Sequence, residues 1–126
     1  MVPAYETKPE YLKILVESVL AQTYSHWELI IADAGTTQTV YDTLQKYQDN
    51  RIVYVKLSQN AGISENTNEA IKVAKGDYIG LLDHDDDLTP DALFEVMKCL
   101  EENRDLVLMY SDEDKMSMDG HKFFQP

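Results

Sequence analysis

Four carboxylates fall within five residues in the segment 83–87 (Asp-His-Asp-Asp-Asp), directly after the apolar run 78–82. Like charges this close together repel one another unless a cation neutralises them. Mg²⁺ prefers oxygen ligands and typically takes one or two carboxylates, completing its shell with substrate phosphates and water. Alternate residues at a strand end place Asp83 and Asp85 on either side of one ion. A solvated acidic turn that caps the next helix explains the segment equally well, and Asp87 favours that surface role.

A second candidate acid, Asp33, follows the apolar run 27–32 and precedes Gly35, Thr36 and Thr37. Its carboxylate can accept a hydrogen bond from a nucleobase or a ribose hydroxyl. One of the two threonines can cap the next helix. An Asp shortly before a Gly also serves ordinary turn chemistry. The binding hypothesis therefore depends on the position of this acid at a predicted strand end rather than on its type.

Other polar groups carry weaker signals. Asn60, Asn66 and Asn68 can contact a phosphate, but helix capping and loop bracing explain them as well. The segment 111–115 (Ser-Asp-Glu-Asp-Lys) is either a solvated loop or a further acidic group at the same edge. The three His residues lack metal-ligand spacing, and the chain has no phosphate loop, dinucleotide fingerprint or nucleophile elbow. ATPases, nicotinamide-linked dehydrogenases and serine hydrolases are therefore without support.

Short apolar runs alternate with helical patterns along the chain. Apolar residues at helical spacing predict a helix over 8–22, and a buried strand over 27–32 follows. The later predicted elements are a helix around 40–47, a strand over 52–57, a helix over 64–75, a strand over 78–82, a helix starting at 89–91 and a strand over 106–110. Residues 2–4 indicate the end of a first strand. This alternation predicts an α/β fold, with a mostly parallel sheet and helices on both faces, in one Rossmann-like domain over residues 1–126.

Ligands of such sheets bind outside the carboxyl ends of the strands. The candidate site therefore lies just after residues 4, 32, 57, 82 and 110. Asp33 and the acidic segment 83–87 both follow one of these strand ends. We expect them to share one edge of the sheet.

Bulk composition limits the partners. The chain has 126 residues and a formal net charge of −12, with a pI near 4.4. Such a surface repels nucleic acid and anionic lipid, and an anionic substrate needs a bridging cation. The single cysteine, Cys99, points to a buried thiol in a reducing compartment. No apolar run reaches the roughly 20 residues of a membrane span, and no signal-peptide pattern begins the chain. We expect a cytoplasmic location, with attachment to the inner face of the membrane possible in a longer enzyme.

The sequence resembles the family 2 glycosyltransferases, especially bacterial members that build rhamnose-containing and other surface polysaccharides. The resemblance runs in order along almost the whole chain. The matching segments are 2–6, 17–24, 27–36, 60–62 with Asn68, 76–79, 82–86 with Pro90, and 110–115.

This resemblance implies the truncated form of an A-type glycosyltransferase fold and a nucleotide-diphosphate sugar donor. It implies a Mn²⁺ or Mg²⁺ ion held by the Asp-x-Asp motif, with Asp85 as the main ligand and Asp83 near the ribose and the metal. Pro3, Tyr5 and Asp33 would line the nucleoside pocket. The family inverts the anomeric centre by direct displacement, and a carboxylate takes the proton of the acceptor hydroxyl. The acceptor would be a glycan, free or lipid-linked.

Two departures from the family pattern matter. Many relatives carry a second acid after the one matching Asp33, whereas this chain has Ala34, so recognition of the base is altered or weakened. Relatives also continue well past the position of Pro126. The catalytic base is therefore unknown and expected in that further part, and this chain is expected to be the donor-binding half. Self-association through exposed apolar surface is a further expectation.

Two alternatives remain. A receiver-like signalling domain also has five βα units, acids at strand ends and a lysine after a late strand, here Lys115. Receivers need an acid pair after the first strand, where this chain has Pro3, Ala4 and Tyr5. A non-catalytic interaction domain would keep the fold with a decayed site, and Ala34 is the residue that most favours it.

Overall fold

The computed structural model describes residues 1–117 and the pair 123–124. The chain divides into two units, Met1–Val96 and Met97–Pro126. The boundary falls inside one helix, Ala92–Glu102. The prediction of a single domain over residues 1–126 stays a prediction.

The first unit is a three-stranded parallel sheet with helices. Its elements in chain order are β1 (Val2–Ala4), α1 (Pro9–Leu20), β2 (Leu29–Asp33), α2 (Thr39–Leu44), β3 (Ile52–Lys56), α3 (Ile63–Ile71) and the first part of α4 (Ala92–Glu102). The strands pair in the order β1-β2-β3, all parallel. The predicted α/β class is confirmed.

Helices cover both faces of this sheet. Alternating side chains of β2 divide between two clusters of buried residues. Leu29 and Ile31 pack with the apolar residues of α1 and α2, whereas Ile30 and Ala32 pack with Ala70 of α3. All five residues of β2 are buried. A strand covered on both faces reads as a continuous apolar run, which is why this strand was predictable.

The α1 helix confirms the helix predicted over 8–22. It begins with a proline at its first position, where the missing N–H breaks no helical hydrogen bond. Its buried side chains are Leu12, Leu15, Val16 and Val19. Full burial of such a side chain stabilises a fold by roughly 1.5–3 kcal/mol. The helix therefore packs against one face of the sheet through apolar contacts. No side-chain hydrogen bond caps its N-terminus.

The predicted strand over 78–82 is wrong. Met1 donates from its N-terminal nitrogen to Gly80 O (2.6 Å), and Leu82 N donates to Met1 O (3.1 Å). This alternation is that of a parallel ladder, but it ends after one pair because Pro3 has no N–H to continue it. The side chain of Leu81 is 71% exposed. The segment lies alongside β1 without becoming a strand.

The second unit contains the end of α4 and a small antiparallel pair, β4 (Lys115–Met116) with β5 (Phe123–Phe124). The predicted strand over 106–110 is also wrong, because this segment pairs with no strand within the described part of the chain. Val107 is 99% exposed and Tyr110 is 89% exposed. An apolar run can therefore stay largely exposed and need not form a strand.

The start of α4 lies slightly later than predicted. Sequence signals place it at residues 89–91, whereas the helix begins at Ala92. Ala92 N donates to Thr89 O at 3.0 Å, so the threonine starts the turn that leads into the helix. Among residues 1–117 and 123–124, no helix is long and apolar enough to cross a membrane.

An ion pair at the amino-terminal edge of the sheet yields a pH prediction. Arg51 Nη2 lies 2.6 Å from Asp49 Oδ2, and its guanidinium stacks 3.7 Å from the Trp27 ring centre. The hydrogen bonds from Arg51 lower the pKa of Asp49 from 3.8 to about 2. Because the folded-state pKa is depressed, this contribution to stability is present above pH 4 and is lost as the pH falls toward 2.

We therefore expect wild type to be more stable than Asp49→Asn in urea unfolding at pH 6, and this difference to shrink as the pH falls below 4. A difference that does not vary with pH would contradict a role for the Asp49 charge.

Candidate functional site

The loops after β1 and β2 are tied together at the carboxyl edge of the sheet. Ala34 N donates to Ala4 O at 2.9 Å. Beyond this bond, Thr36 donates to Glu6 Oε1 from its backbone N at 2.8 Å and from its Oγ1 at 2.9 Å. These bonds bring the predicted residues Pro3, Tyr5 and Asp33 to one place. Tyr5 is 49% exposed there.

The carboxylate of Asp33 is fully buried at this edge. Its Oδ1 accepts from Gly35 N at 2.8 Å, and its Oδ2 accepts from Tyr54 Oη at 2.9 Å and Lys56 Nζ at 3.0 Å. Burial first, and then the hydrogen bond to Asp33, raises the pKa of Tyr54 well above its usual value. Asp33 is the fixed centre of a small hydrogen-bonded network that joins β2 to β3.

Glu6 holds the neighbouring loop in an unusual backbone conformation. Its φ is +50°, in the left-handed region that residues other than Gly and Asn seldom adopt. Hydrogen bonds from Thr36 lower the pKa of the Glu6 carboxyl. Strained residues of this kind persist when surrounding contacts hold them, and they cluster at ligand sites.

Gly35 is needed for space rather than for backbone freedom. A Cβ at this position would lie 3.0 Å from Asp33 Oδ1 and 3.3 Å from Glu6 N. Neither atom can move away, because the first is held in the buried network and the second belongs to the backbone. We expect Gly35→Ala to lower the free energy of unfolding by about 1–3 kcal/mol, the usual cost of overpacking.

The matched control is Gly80→Ala, because a Cβ there meets nothing within 4 Å. Urea unfolding monitored by circular dichroism measures both variants. Equal stability of the two alanine variants would contradict the tight packing at Gly35.

The acidic segment 83–87 forms an exposed turn that is anchored on both sides. Asp86 N donates to Asp83 O at 3.3 Å, which leaves Asp85 near the tip. Before the turn, Leu82 N donates a hydrogen bond to Met1 O. On the far side, Gln22 Nε2 donates to Thr89 O at 2.7 Å and Leu88 N donates to Ser18 Oγ at 3.2 Å. These anchors fix the turn to β1 and α1.

The donor chemistry of this turn fits a hard divalent cation that also binds substrate. The Asp83 and Asp85 side chains are exposed, and neither is bonded to another residue of the described chain. No cluster of three or more metal-binding side chains occurs among residues 1–117 and 123–124. Two carboxylates without a third ligand do not suit structural zinc. They do suit Mg²⁺ or Mn²⁺ with phosphate oxygens and water completing the shell.

Three residues that sequence reasoning missed also belong to this edge. Lys56 lies in register with Asp33 on the neighbouring strand, so aligning the two predicted strands could have signalled it. Tyr54 lies two residues earlier, with its side chain on the same face of β3. Glu6 gave no signal beyond its place after β1. The acidic group 111–115 lies in the second unit. The acids assigned to the carboxyl edge therefore all come from the first unit.

A cavity of about 420 Å³ lies beside α3, outside the predicted set. The end of β3, including Lys56, the segment after it and one side of α3, including Asn66 and Glu69, line this cavity. Asn66 donates from Nδ2 to Asn60 Oδ1 at 3.0 Å, which braces the loop 60–62 as the bracing interpretation expects. None of the predicted site residues Pro3, Tyr5, Asp33, Asp83 and Asp85 lines this cavity.

Parallel strands, helices on both faces and polar loops at the carboxyl edge define an α/β domain of the kind that takes ligands at that edge. The family model described as "Glycosyl transferase family 2" matches residues 1–120. The chain belongs to this family. The receiver-like alternative is thereby removed.

Several characterised and uncharacterised proteins are similar. An uncharacterised protein of Sinorhizobium fredii, y4gI, is 42% identical over 95% of this chain and 14% of its own length. The putative teichuronic acid biosynthesis glycosyltransferase TuaG of Bacillus subtilis is 35% identical over 94% of this chain and 47% of its own. The chain thus spans less than half of either relative.

Solved structures agree with the fold. S. aureus TarS matches with a TM-score of 0.73 and 26% identity over 82% of this chain and 19% of that one. TarS residues 1–349 in complex with UDP match with the same TM-score and 25% identity, over 82% of this chain and 32% of that one. The predicted A-type glycosyltransferase fold is confirmed by this likeness.

Proposed function

We propose that this chain binds the nucleotide-sugar donor of an inverting, metal-dependent glycosyltransferase that builds a polysaccharide or other glycan. The observation that carries the proposal is the carboxyl edge, where the exposed Tyr5 ring and the Asp33 network lie beside β1 and the anchored acidic turn lies on its other side. Family membership and the UDP complex of the TarS neighbour support it.

The nucleoside lies against Pro3 near the end of β1 and against Tyr5 on the loop that the hydrogen bonds from Thr36 to Glu6 hold. The partly exposed Tyr5 side chain would offer the base an aromatic ring for stacking. The diphosphate extends from there toward Asp83 and Asp85. A net charge of −12 makes the binding of an anionic ligand unfavourable without a cation. The proposed nucleotide binding therefore depends on the proposed metal binding.

Asp85, with Asp83, would hold Mg²⁺ or Mn²⁺. When bound, the ion would offset the negative charge that develops on the departing diphosphate. The protein's own part is to hold the ribose and base in a fixed orientation, so that the anomeric carbon faces the acceptor hydroxyl. The base that removes the proton of the acceptor hydroxyl is unassigned. We place the reaction on the cytoplasmic side, because the single Cys99 suits a reducing compartment.

Calorimetric titration tests this function. Uridine, deoxythymidine, cytidine and adenosine diphosphates are each titrated into the chain, with and without Mn²⁺. We expect saturable binding of at least one nucleotide, and tighter binding with the metal. Absence of binding to every nucleotide in both conditions would contradict the proposal and favour a non-catalytic domain, the alternative that Ala34 suggests.

We also propose that the chain self-associates with a second copy. In the first unit, Tyr78 is 58% exposed, Ile79 is 51% exposed and Leu81 is 71% exposed, and large exposed apolar side chains favour association. We expect sedimentation velocity to show dimers or larger species at high concentration, and Leu81→Lys to shift them toward monomer. Monomeric wild type at every concentration would contradict this.

A further inference from the structure

The Asp33 carboxylate has little capacity left for a ligand. It is fully buried, and three donors already occupy its two oxygens: Gly35 N, Tyr54 Oη and Lys56 Nζ. An ionised carboxylate has about four lone-pair positions. The one that remains faces no solvent. A nucleobase can therefore reach this carboxylate only if the network opens.

Lys56 is the member of the network that does face solvent. Its side chain is 39% exposed, whereas that of Asp33 is 0% exposed. An ammonium has three N–H donors. Two of them go to Asp33 Oδ2 at 3.0 Å and to Gly35 O at 2.5 Å. The third has no acceptor among the described residues and is the donor that the network presents to a ligand.

The position of Lys56 suits the base rather than the diphosphate. Ala4 O points toward β2, so Met1 and its partner segment 80–82 lie on the other side of β1. Lys56 on β3 is thus separated from the acidic turn by about three strand spacings, roughly 14 Å at 4.8 Å each. A nucleotide whose diphosphate lies at Asp85 extends toward β3 with its base.

We propose that Lys56, and not the Asp33 carboxylate, contacts the nucleobase, and that its ammonium donates a hydrogen bond to the carbonyl oxygen at position 4 of uracil or thymine. Because the charge of Lys56 is balanced by Asp33, its contribution is a directed donor rather than net positive charge. Cytosine carries an amino group at position 4, and a donor facing a donor is unfavourable. The inference rests on the proposed donor binding and names the residue that selects the base.

The test compares UDP with CDP, which match in size and charge, by calorimetry with Mn²⁺. Lys56→Met alone would leave the Asp33 charge buried and unpaired, so the test uses the double variant Asp33→Asn with Lys56→Met, which removes both charges together. Asp33→Asn alone and Lys56→Arg are the matched controls. Circular dichroism establishes that each variant is folded.

We expect the ratio of the affinities for UDP and CDP to be about tenfold lower in the double variant than in wild type. This is the usual contribution of one hydrogen bond to a charged group. Asp33→Asn and Lys56→Arg should keep most of the preference, because a cationic donor remains. An unchanged preference in the double variant would overturn the inference while nucleotide binding itself stands. Equal losses in Asp33→Asn and the double variant would return the contact to Asp33. Wild type that binds neither nucleotide would overturn the proposed function as well.

Discussion

Asp33→Ala is expected to lower the free energy of unfolding by on the order of 3 kcal/mol, one of the two largest effects that we predict. The change leaves Gly35 N, Tyr54 Oη and Lys56 Nζ without their acceptor. An unsatisfied buried donor costs about 1–3 kcal/mol. The exposed part of Lys56 regains water, which keeps the total below the cost of breaking a fully buried ion pair. Urea unfolding monitored by circular dichroism measures the change.

Two variants calibrate this result. Asp77→Ala removes a carboxylate that is exposed, and surface changes of this kind are usually within about 0.5 kcal/mol of wild type. Asp33→Asn keeps an oxygen for one or two of the donors and should fall between wild type and Asp33→Ala. If Asp33→Ala unfolds at the same urea concentration as Asp77→Ala, the network does not hold β2 to β3.

Asp85→Ala is expected to remove the metal-dependent part of nucleotide affinity, at least about tenfold, and to leave the fold intact. Loss of a partner even one shell away from a metal weakens binding by about 10–100-fold. Asp85 is exposed and bonded to no other residue of the described chain, so its removal breaks no internal contact. Calorimetric titration of UDP with and without Mn²⁺ measures the affinity.

Asp87→Ala is the matched control, since Asp87 is an exposed acid of the same segment that we assign to the surface. It should keep the response to Mn²⁺. Asp83→Ala should lose part of that response and part of the metal-free affinity, because we propose that Asp83 lies near both the ribose and the ion. If Asp85→Ala and Asp87→Ala respond to Mn²⁺ equally, Asp85 is not the metal ligand.

Most elements of the first unit were predictable because the buried face of a helix or strand requires apolar residues at regular spacing in the sequence. The helix predicted over 8–22 is Pro9–Leu20, and the strand predicted over 27–32 is Leu29–Asp33. The helix predicted over 64–75 ends earlier, at Ile71. Ends of helices depend on local capping and packing, which an apolar stripe does not specify.

The two wrong strands share one feature, which is that neither apolar run pairs with a strand in the described part of the chain. The runs 78–82 and 106–110 are apolar enough to be buried strands, but a strand also needs a partner with free N–H and C=O groups. Beside the first run, Pro3 breaks the ladder after the bonds to Met1. Hydrophobicity identifies a segment whose apolar side chains favour burial, but it does not identify the element that buries them.

The candidate site was predictable in place but not in detail. The rule that ligands bind at the carboxyl ends of parallel strands located Asp33 and the segment 83–87 correctly on that edge. Burial of the Asp33 carboxylate depends on Tyr54 and Lys56, which come from a strand more than 20 residues later in the sequence. Only the register between β2 and β3 brings them together. The assignments of Pro3, Tyr5, Asp83 and Asp85 to donor and metal stay predictions.

The location of nucleotide binding is tested most directly by recording amide chemical shifts of the chain during titration with UDP and Mg²⁺. We predict saturable shift changes at Tyr5, Gly35, Lys56 and Asp85 along the carboxyl edge. The amide of Arg51, at the opposite end of the sheet, should not change. Shift changes confined to that opposite end, or to Glu65, Asn66 and Glu69 on the α3 side of the cavity, would contradict a donor site at the carboxyl edge.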